Sequence, residues 1–94
     1  MPKKYPPLTP QEVINILKKR EFKFDTQEGS HQQYKGSTKG ETRKVTVDIA
    51  EKDFDTFLMQ SMIRQSGLTR DEFYCSTKAT AQKINKRLDK KLKV

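Results

Sequence analysis

Histidine is all but missing from this chain of 94 residues: it occurs once, as His31. Tryptophan is absent, cysteine occurs once, and glycine and proline four times each. Each shortage excludes something. A lone Cys75 cannot form an intramolecular disulfide, which fits a reducing compartment. One His and one Cys far apart in sequence do not make a ligand cluster, so no metal site is expected. The glycines are scattered and form no phosphate-binding loop, and no cofactor is expected. No apolar run approaches the ~20 residues that span a bilayer. The opening Met1-Pro2-Lys3-Lys4-Tyr5-Pro6-Pro7 has no apolar stretch after its lysines and is not a secretory signal. A soluble, cytoplasmic protein is the expectation, with no membrane contact. A hydrophobic fraction of 32% in a chain this short supports one domain with one modest core. A deep cavity is not expected. A shallow active surface suits a long polymer better than a small metabolite.

Positive charge is abundant. The net charge is +8 and it is unevenly spread. Residues 78–94 hold seven basic residues and one acid, whereas the other 77 hold 13 bases and 11 acids. Such a field attracts nucleic acid, acidic proteins or anionic membranes, and charge alone does not choose among them.

The element signals are clear. Three prolines mark residues 1–7 as a flexible leader. Thr9-Pro10-Gln11-Glu12 is a capping box with proline at the first helical position, and Leu8 and Val13 are placed as a hydrophobic staple. That helix is expected to end near Arg20. Alternation over Phe22 to Thr26, His31 to Lys35 and Lys44 to Ile49 predicts three strands. Glu28-Gly29 supplies the first turn, and residues 36–41 read as a polar loop. A helix is predicted over residues 55–66, with Leu58, Met59, Met62 and Ile63 at helical spacing and Gly67 as its stop. Thr69-Arg70-Asp71-Glu72 is a second capping box, opening a short helix. A basic helix is expected over residues 78–91, with Ala81, Ile84, Leu88 and Leu92 on one stripe.

This order predicts an α+β fold, α-β-β-β-α, with a three-stranded antiparallel sheet and a C-terminal helical extension. Each helix has one apolar stripe, so the helices must cover one face of the sheet. The expected covered face is Phe22, Phe24, Tyr34, Val45, Val47 and Ile49. Lys23, Asp25, His31, Gln33, Lys35, Lys44, Thr46 and Asp48 then lie on the open face. A histidine moves protons near neutral pH without unusual help. Spacing alone leaves two readings of His31: a proton-transfer group on a basic surface, or a surface histidine beside a turn.

Three pieces in order carry a resemblance: Gly29-Ser30-His31 followed by Tyr34, then Lys44-Val45-Thr46-Val47, then the run from Ser61 through Gly67-Leu68-Thr69-Arg70-Asp71-Glu72-Phe73. Together they resemble the HicA (YcfA-like) family of toxins from bacterial toxin–antitoxin modules, over about residues 8–73. The resemblance implies a fold similar to a double-stranded-RNA-binding domain and the activity of a ribosome-independent endoribonuclease that cleaves mRNA. It also implies a catalytic histidine, matched by His31, and a HicB-type antitoxin that masks that surface. The toxin domain is then expected over residues 8–76, with a basic extension over 77–94. Gln32 stands where the family often has a second histidine, and Asp48 where it often has proline.

Within that reading, RNA cleavage needs one proton taken from a 2′-hydroxyl and one given to the leaving 5′-oxygen. His31 suits either role, with no metal required. Lys35, Arg43 or Lys44 could stabilise negative charge at phosphorus, and Asp48 or Asp25 could orient the imidazole. Ser30, Gln33, Lys35, Lys39, Arg43 and Lys44 form the expected RNA-binding set. The basic tail could add RNA affinity, pack on the domain, or meet an acidic antitoxin. The alternative is a non-catalytic double-stranded-RNA-binding module of the same topology; a basic adaptor for an acidic protein is a third.

Overall fold

The computed structural model describes residues 5–84. It contains α1 (Pro10–Lys19), β1 (Lys23–Glu28), β2 (His31–Thr38), β3 (Glu41–Asp48), α2 (Thr56–Ser66), α3 (Arg70–Tyr74) and α4 (Lys78–Lys83). The three strands form one antiparallel sheet in the order β1-β2-β3, and the helices lie against one of its faces. This is the α-β-β-β-α arrangement of the double-stranded-RNA-binding-domain class.

Helix α1 begins and ends by local rules. Thr9 accepts from the Glu12 amide while the Glu12 carboxylate accepts from the Thr9 amide, so both expected halves of the capping box form. At the other end Glu21 adopts φ 67°, in the left-handed region. The Phe22 amide then donates to the Leu17 carbonyl at 2.8 Å and the Glu21 amide to the Lys18 carbonyl at 3.1 Å. This is a Schellman stop with glutamate where glycine is usual. It drops Phe22 into the core, 2% exposed, against Gly36 of β2. A Cβ on Gly36 would lie 2.7 Å from the Phe22 ring, which is why β2 carries glycine there.

Residues 36–41 are not the loop that their composition suggests. Strands β2 and β3 run on to Thr38 and from Glu41, and the reversal is a two-residue turn at Lys39-Gly40. Both turn residues have positive φ, 54° and 84°, as a type I′ turn requires. Polar composition hid a tight hairpin.

The core is built from Tyr34, Val45 and Val47 of the sheet and the apolar stripes of α1 and α2. Two expected members are missing from it. Phe24 faces the same side as Tyr34, with ring centroids 5.9 Å apart, yet is 54% exposed because the helices pack chiefly on β3. Ile49 lies just past β3 and is also exposed. Arg20 is the converse: a cation 1% exposed. Its guanidinium donates to Ser76 Oγ at 2.7 Å and to the Glu72 carbonyl at 2.8 Å, joining α1 to α3. A buried charge is tolerable only with such partners.

The two ends of the described segment are docked. The Tyr5 hydroxyl donates to Asp71 at 2.6 Å and the Tyr74 hydroxyl to the Pro6 carbonyl at 2.5 Å. Ala81 and Ile84 are buried, and Lys83 pairs with Glu12 at 2.7 Å. Leu88, Leu92 and the rest of the expected basic helix lie outside the described residues.

Substituting Gly36→Ala tests the Phe22 contact. The added methyl must displace the ring, so urea denaturation is expected to show a loss of about 1–3 kcal/mol. An unchanged unfolding midpoint would contradict the packing.

Candidate active surface

His31 is placed by a turn and a ladder. Gly29, with φ 61°, and Ser30 form the two-residue reversal between β1 and β2. His31 is therefore the first residue of β2, opposite Glu28 on one side and Asp48 on the other. The ladder continues past it through the Ile49 amide, which donates to the Ser30 carbonyl at 2.9 Å. Strand alternation puts Tyr34 toward the helices, and so puts His31 on the free face, 59% exposed.

Asp48 stands beside it. Its Oδ2 is 3.6 Å from His31 Nε2, an ion-pair separation that is longer than a hydrogen bond. Its other oxygen accepts from the Ala50 amide at 3.0 Å. The Ser30 hydroxyl is the main cause holding this carboxyl below its usual range. The Ala50 amide adds to that effect, burial opposes it, and the charge of a protonated His31 contributes last. Ser30, His31 and Asp48 are thus one constellation, with the carboxylate fixed and the imidazole free to meet solvent.

From this end a polar track runs along the open face. Gln33 lies opposite Thr46, and Lys35 opposite Lys44. His31 and Lys35 are four residues apart in one strand, about 13 Å. Like charges directly opposite destabilise a sheet. Here Asp25, at the bulge in β1, relieves the pair by meeting Lys44 Nζ at 3.3 Å. Lys35 has no ion-pair partner among the described residues.

The remaining two expected cations go elsewhere. Lys39 sits at the far tip of the β2–β3 hairpin and pairs with Glu72 at 3.0 Å. Arg43 has the parity of Val45 and lies at the margin of the helix-covered face, paired with Glu41 at 2.7 Å. Its Nε is buried without a hydrogen bond and packs against Gly67. So Ser30, Gln33, Lys35 and Lys44 share the surface of His31, while Lys39 and Arg43 do not. Gln32 has the opposite parity from His31, and its side chain accepts from the Tyr34 hydroxyl at 2.9 Å.

A groove of about 200 Å³ opens next to His31, between β3 and α2. Thr46 and Asp48 form one wall and Leu58, Ser61, Met62 and Gln65 the other. Gln65 Oε1 accepts the Thr46 amide at 3.0 Å, so α2 caps the edge of β3. The α2 residues Ser61 and Gln65 were not singled out from sequence. Two polar side chains four apart, bordering an apolar stripe, were the available signal. Among the described residues no three His, Cys, Asp or Glu side chains come together, and no helix is long and apolar enough to cross a membrane.

Fold and surface define a small basic α+β protein of the double-stranded-RNA-binding-domain class, with one histidine on its free sheet face. The family described as HicA toxin of bacterial toxin-antitoxin matches residues 10–68, more than half of the chain, and the chain belongs to that family. It is accordingly a toxin of a toxin–antitoxin pair. The matched span includes His31, Asp48 and both walls of the groove, and ends before α3. A comparison with curated proteins found no match.

The Ser30–Asp48 link gives a pH test. The Asp48 pKa is lower in the fold than the ~3.9 of a free aspartate. Its contribution to stability is therefore present above about pH 4 and is lost as pH falls through the folded value. Ser30→Ala removes the largest cause, so the Asp48 midpoint should rise toward the free value. Carboxyl ¹³C NMR reads it directly, and an unmoved midpoint would refute the link.

Proposed function

We propose that this toxin is a ribosome-independent endoribonuclease that cleaves mRNA, with His31 as its proton-transfer group. The observation that supports this most is the position of His31, solvent-facing and backed by Asp48, at the end of a track carrying Lys35 and Lys44. A ribose-phosphate strand laid along the track has its phosphates near the lysines and one ribose beside the imidazole.

The chemistry is transesterification. The 2′-oxygen attacks phosphorus as its proton leaves, and the bond from phosphorus to the 5′-oxygen breaks. The 5′-oxygen takes up a proton, leaving a 2′,3′-cyclic phosphate and a 5′-hydroxyl. Neutral His31 accepts the first proton or protonated His31 donates the second. Asp48 acts as a positioning residue, steering the ring from 3.6 Å. Lys35 and Lys44, further along the track, hold the flanking backbone phosphates and so keep the strand in register with His31. Ser30 holds Asp48, and Gln33 lies on the path between His31 and the lysines. His31 moves one of these two protons and solvent water exchanges the other, and neither transfer requires a metal ion. Lys39 and Arg43 contact RNA only if their pairs with Glu72 and Glu41 open. A HicB-type antitoxin neutralises the toxin by covering the open face, where the uncovered charge and the imidazole both lie.

Inducible expression in a bacterium, with RNA 5′ ends mapped, tests the catalytic role. Wild type should arrest growth and generate new 5′ ends. His31→Ala should do neither while keeping its melting temperature. Full activity in that variant would overturn the assignment. RNA binding without turnover in both proteins would favour the double-stranded-RNA-binding module instead.

Lys35→Gln separates affinity from chemistry. Losing one phosphate contact should weaken RNA binding and make the slope of log affinity against log salt shallower by about 0.7 for a single strand. An unaltered slope would remove Lys35 from the binding track.

A further inference from the structure

We propose that the groove between β3 and α2 is a nucleobase subsite. It takes one unpaired base next to the phosphate that is cleaved, and Gln65 and Ser61 read that base's edge. The proposal rests on the reading of RNA as the substrate and goes beyond it by fixing where sequence preference arises.

Three features favour a base over the other parts of a nucleotide. The first is charge. The acidic groups lining the groove are Asp48 and Glu51, and they repel phosphate, whereas Lys35 and Lys44 attract it further along the sheet. A strand on the open face therefore keeps its backbone phosphates toward Lys35 and Lys44 and has an uncharged ring to place at the Asp48 end of β3.

The second is lining and size. Leu58 and Met62 of the α2 wall, with Phe54, give the groove an apolar lining beside its polar groups. A flat aromatic ring gains from such a surface, and a thioether such as Met62 packs favourably on π-systems. The volume of about 200 Å³ lies below the roughly 300–1,000 Å³ of sites for drug-sized ligands, and suits a single base.

The third is fixed polarity. The Thr46 amide donates to Gln65 Oε1, which sets the orientation of the carboxamide. The Gln65 amino group is left with its hydrogens, a donor with no partner among the described residues. Ser61, one helical turn earlier on the same side of α2, brings a hydroxyl to the same wall. A donor held by the backbone discriminates among base edges, because the wrong edge leaves it unsatisfied.

The test uses the full chain and three variants. Gln65→Glu keeps an oxygen for the Thr46 amide but replaces the amino donor with an acceptor. Leu58→Trp fills the groove. Gln60→Glu, on the exposed outer side of α2, controls for added charge. With a random-sequence RNA pool and mapped cut sites, Gln65→Glu should change the base frequency at one position beside the cut by about tenfold. Leu58→Trp should lower kcat/KM about tenfold, and Gln60→Glu should match wild type in its base frequencies. Base frequencies in Gln65→Glu equal to those of wild type would overturn the proposal. So would undiminished cleavage by folded Leu58→Trp.

Should wild type cleave no RNA, the nuclease reading fails but the subsite is still measured. Fluorescence anisotropy with a short single-stranded RNA then decides. Binding about tenfold weaker in Leu58→Trp supports base capture, and equal binding overturns it.

Discussion

Burial of Tyr34, Val45 and Val47 beneath α1 and α2 fixes the register of the sheet, and every functional placement follows from that register. Side chains on a strand alternate with period two, so committing these three inward commits His31, Gln33, Lys35, Lys44, Thr46 and Asp48 outward. A slip of one residue would send the imidazole into the interior and expose the core. The pairing is reinforced from both ends. The Ser30 carbonyl holds the Ile49 amide at one end, and the Lys39-Gly40 turn closes the other. Between them the Phe22 ring seats against Gly36, locking α1 to the middle of β2.

Much of this was legible in the residues. Both capping boxes form as written, at Thr9-Glu12 and Thr69-Glu72, because each depends only on residues three apart. Asp55 caps α2 and Gly67 ends it at φ 77°, again through local chemistry. The open-face position of His31 followed from alternation. What escaped depends on distance in sequence. The segment 36–41 looked like a loop because glycine and polar residues dominate it, while its strand character comes from pairing across the hairpin. Phe24 and Ile49 looked like core residues because alternation reports a face and not how far the helices extend over it. Arg20 looked like the end of a surface helix, but it is buried by partners 52 and 56 residues away.

The site shows the same division. The constellation of Ser30, His31 and Asp48 joins a turn to the strand opposite, and the sequence offered Asp48 and Asp25 as equal candidates to stand beside the histidine. Register separates them: Asp25 lies beside the Gln33–Tyr34 stretch of β2 and meets Lys44, whereas Asp48 stands directly opposite His31. The expected cluster of four cations splits for a related reason. Lys35 and Lys44 share parity with His31, whereas Arg43 has the other parity and Lys39 is spent on fastening the hairpin tip to α3. Family membership supplies the class of molecule, a toxin of a toxin–antitoxin pair. The arrangement of one exposed imidazole, one fixed carboxylate and two aligned lysines supports a chemistry for it.

The most direct measurement of the central claim joins structure to rate on a single atom. The pH dependence of RNA cleavage by the purified protein is compared with the titration of the His31 ring followed by NMR in the same buffer. One limb of the rate profile should have the same midpoint as the ring, and a 2′-deoxy nucleotide at the cut site should stop the reaction. A rate profile whose limbs both miss the midpoint of the ring, or steady cleavage at a deoxy position, would contradict the claim.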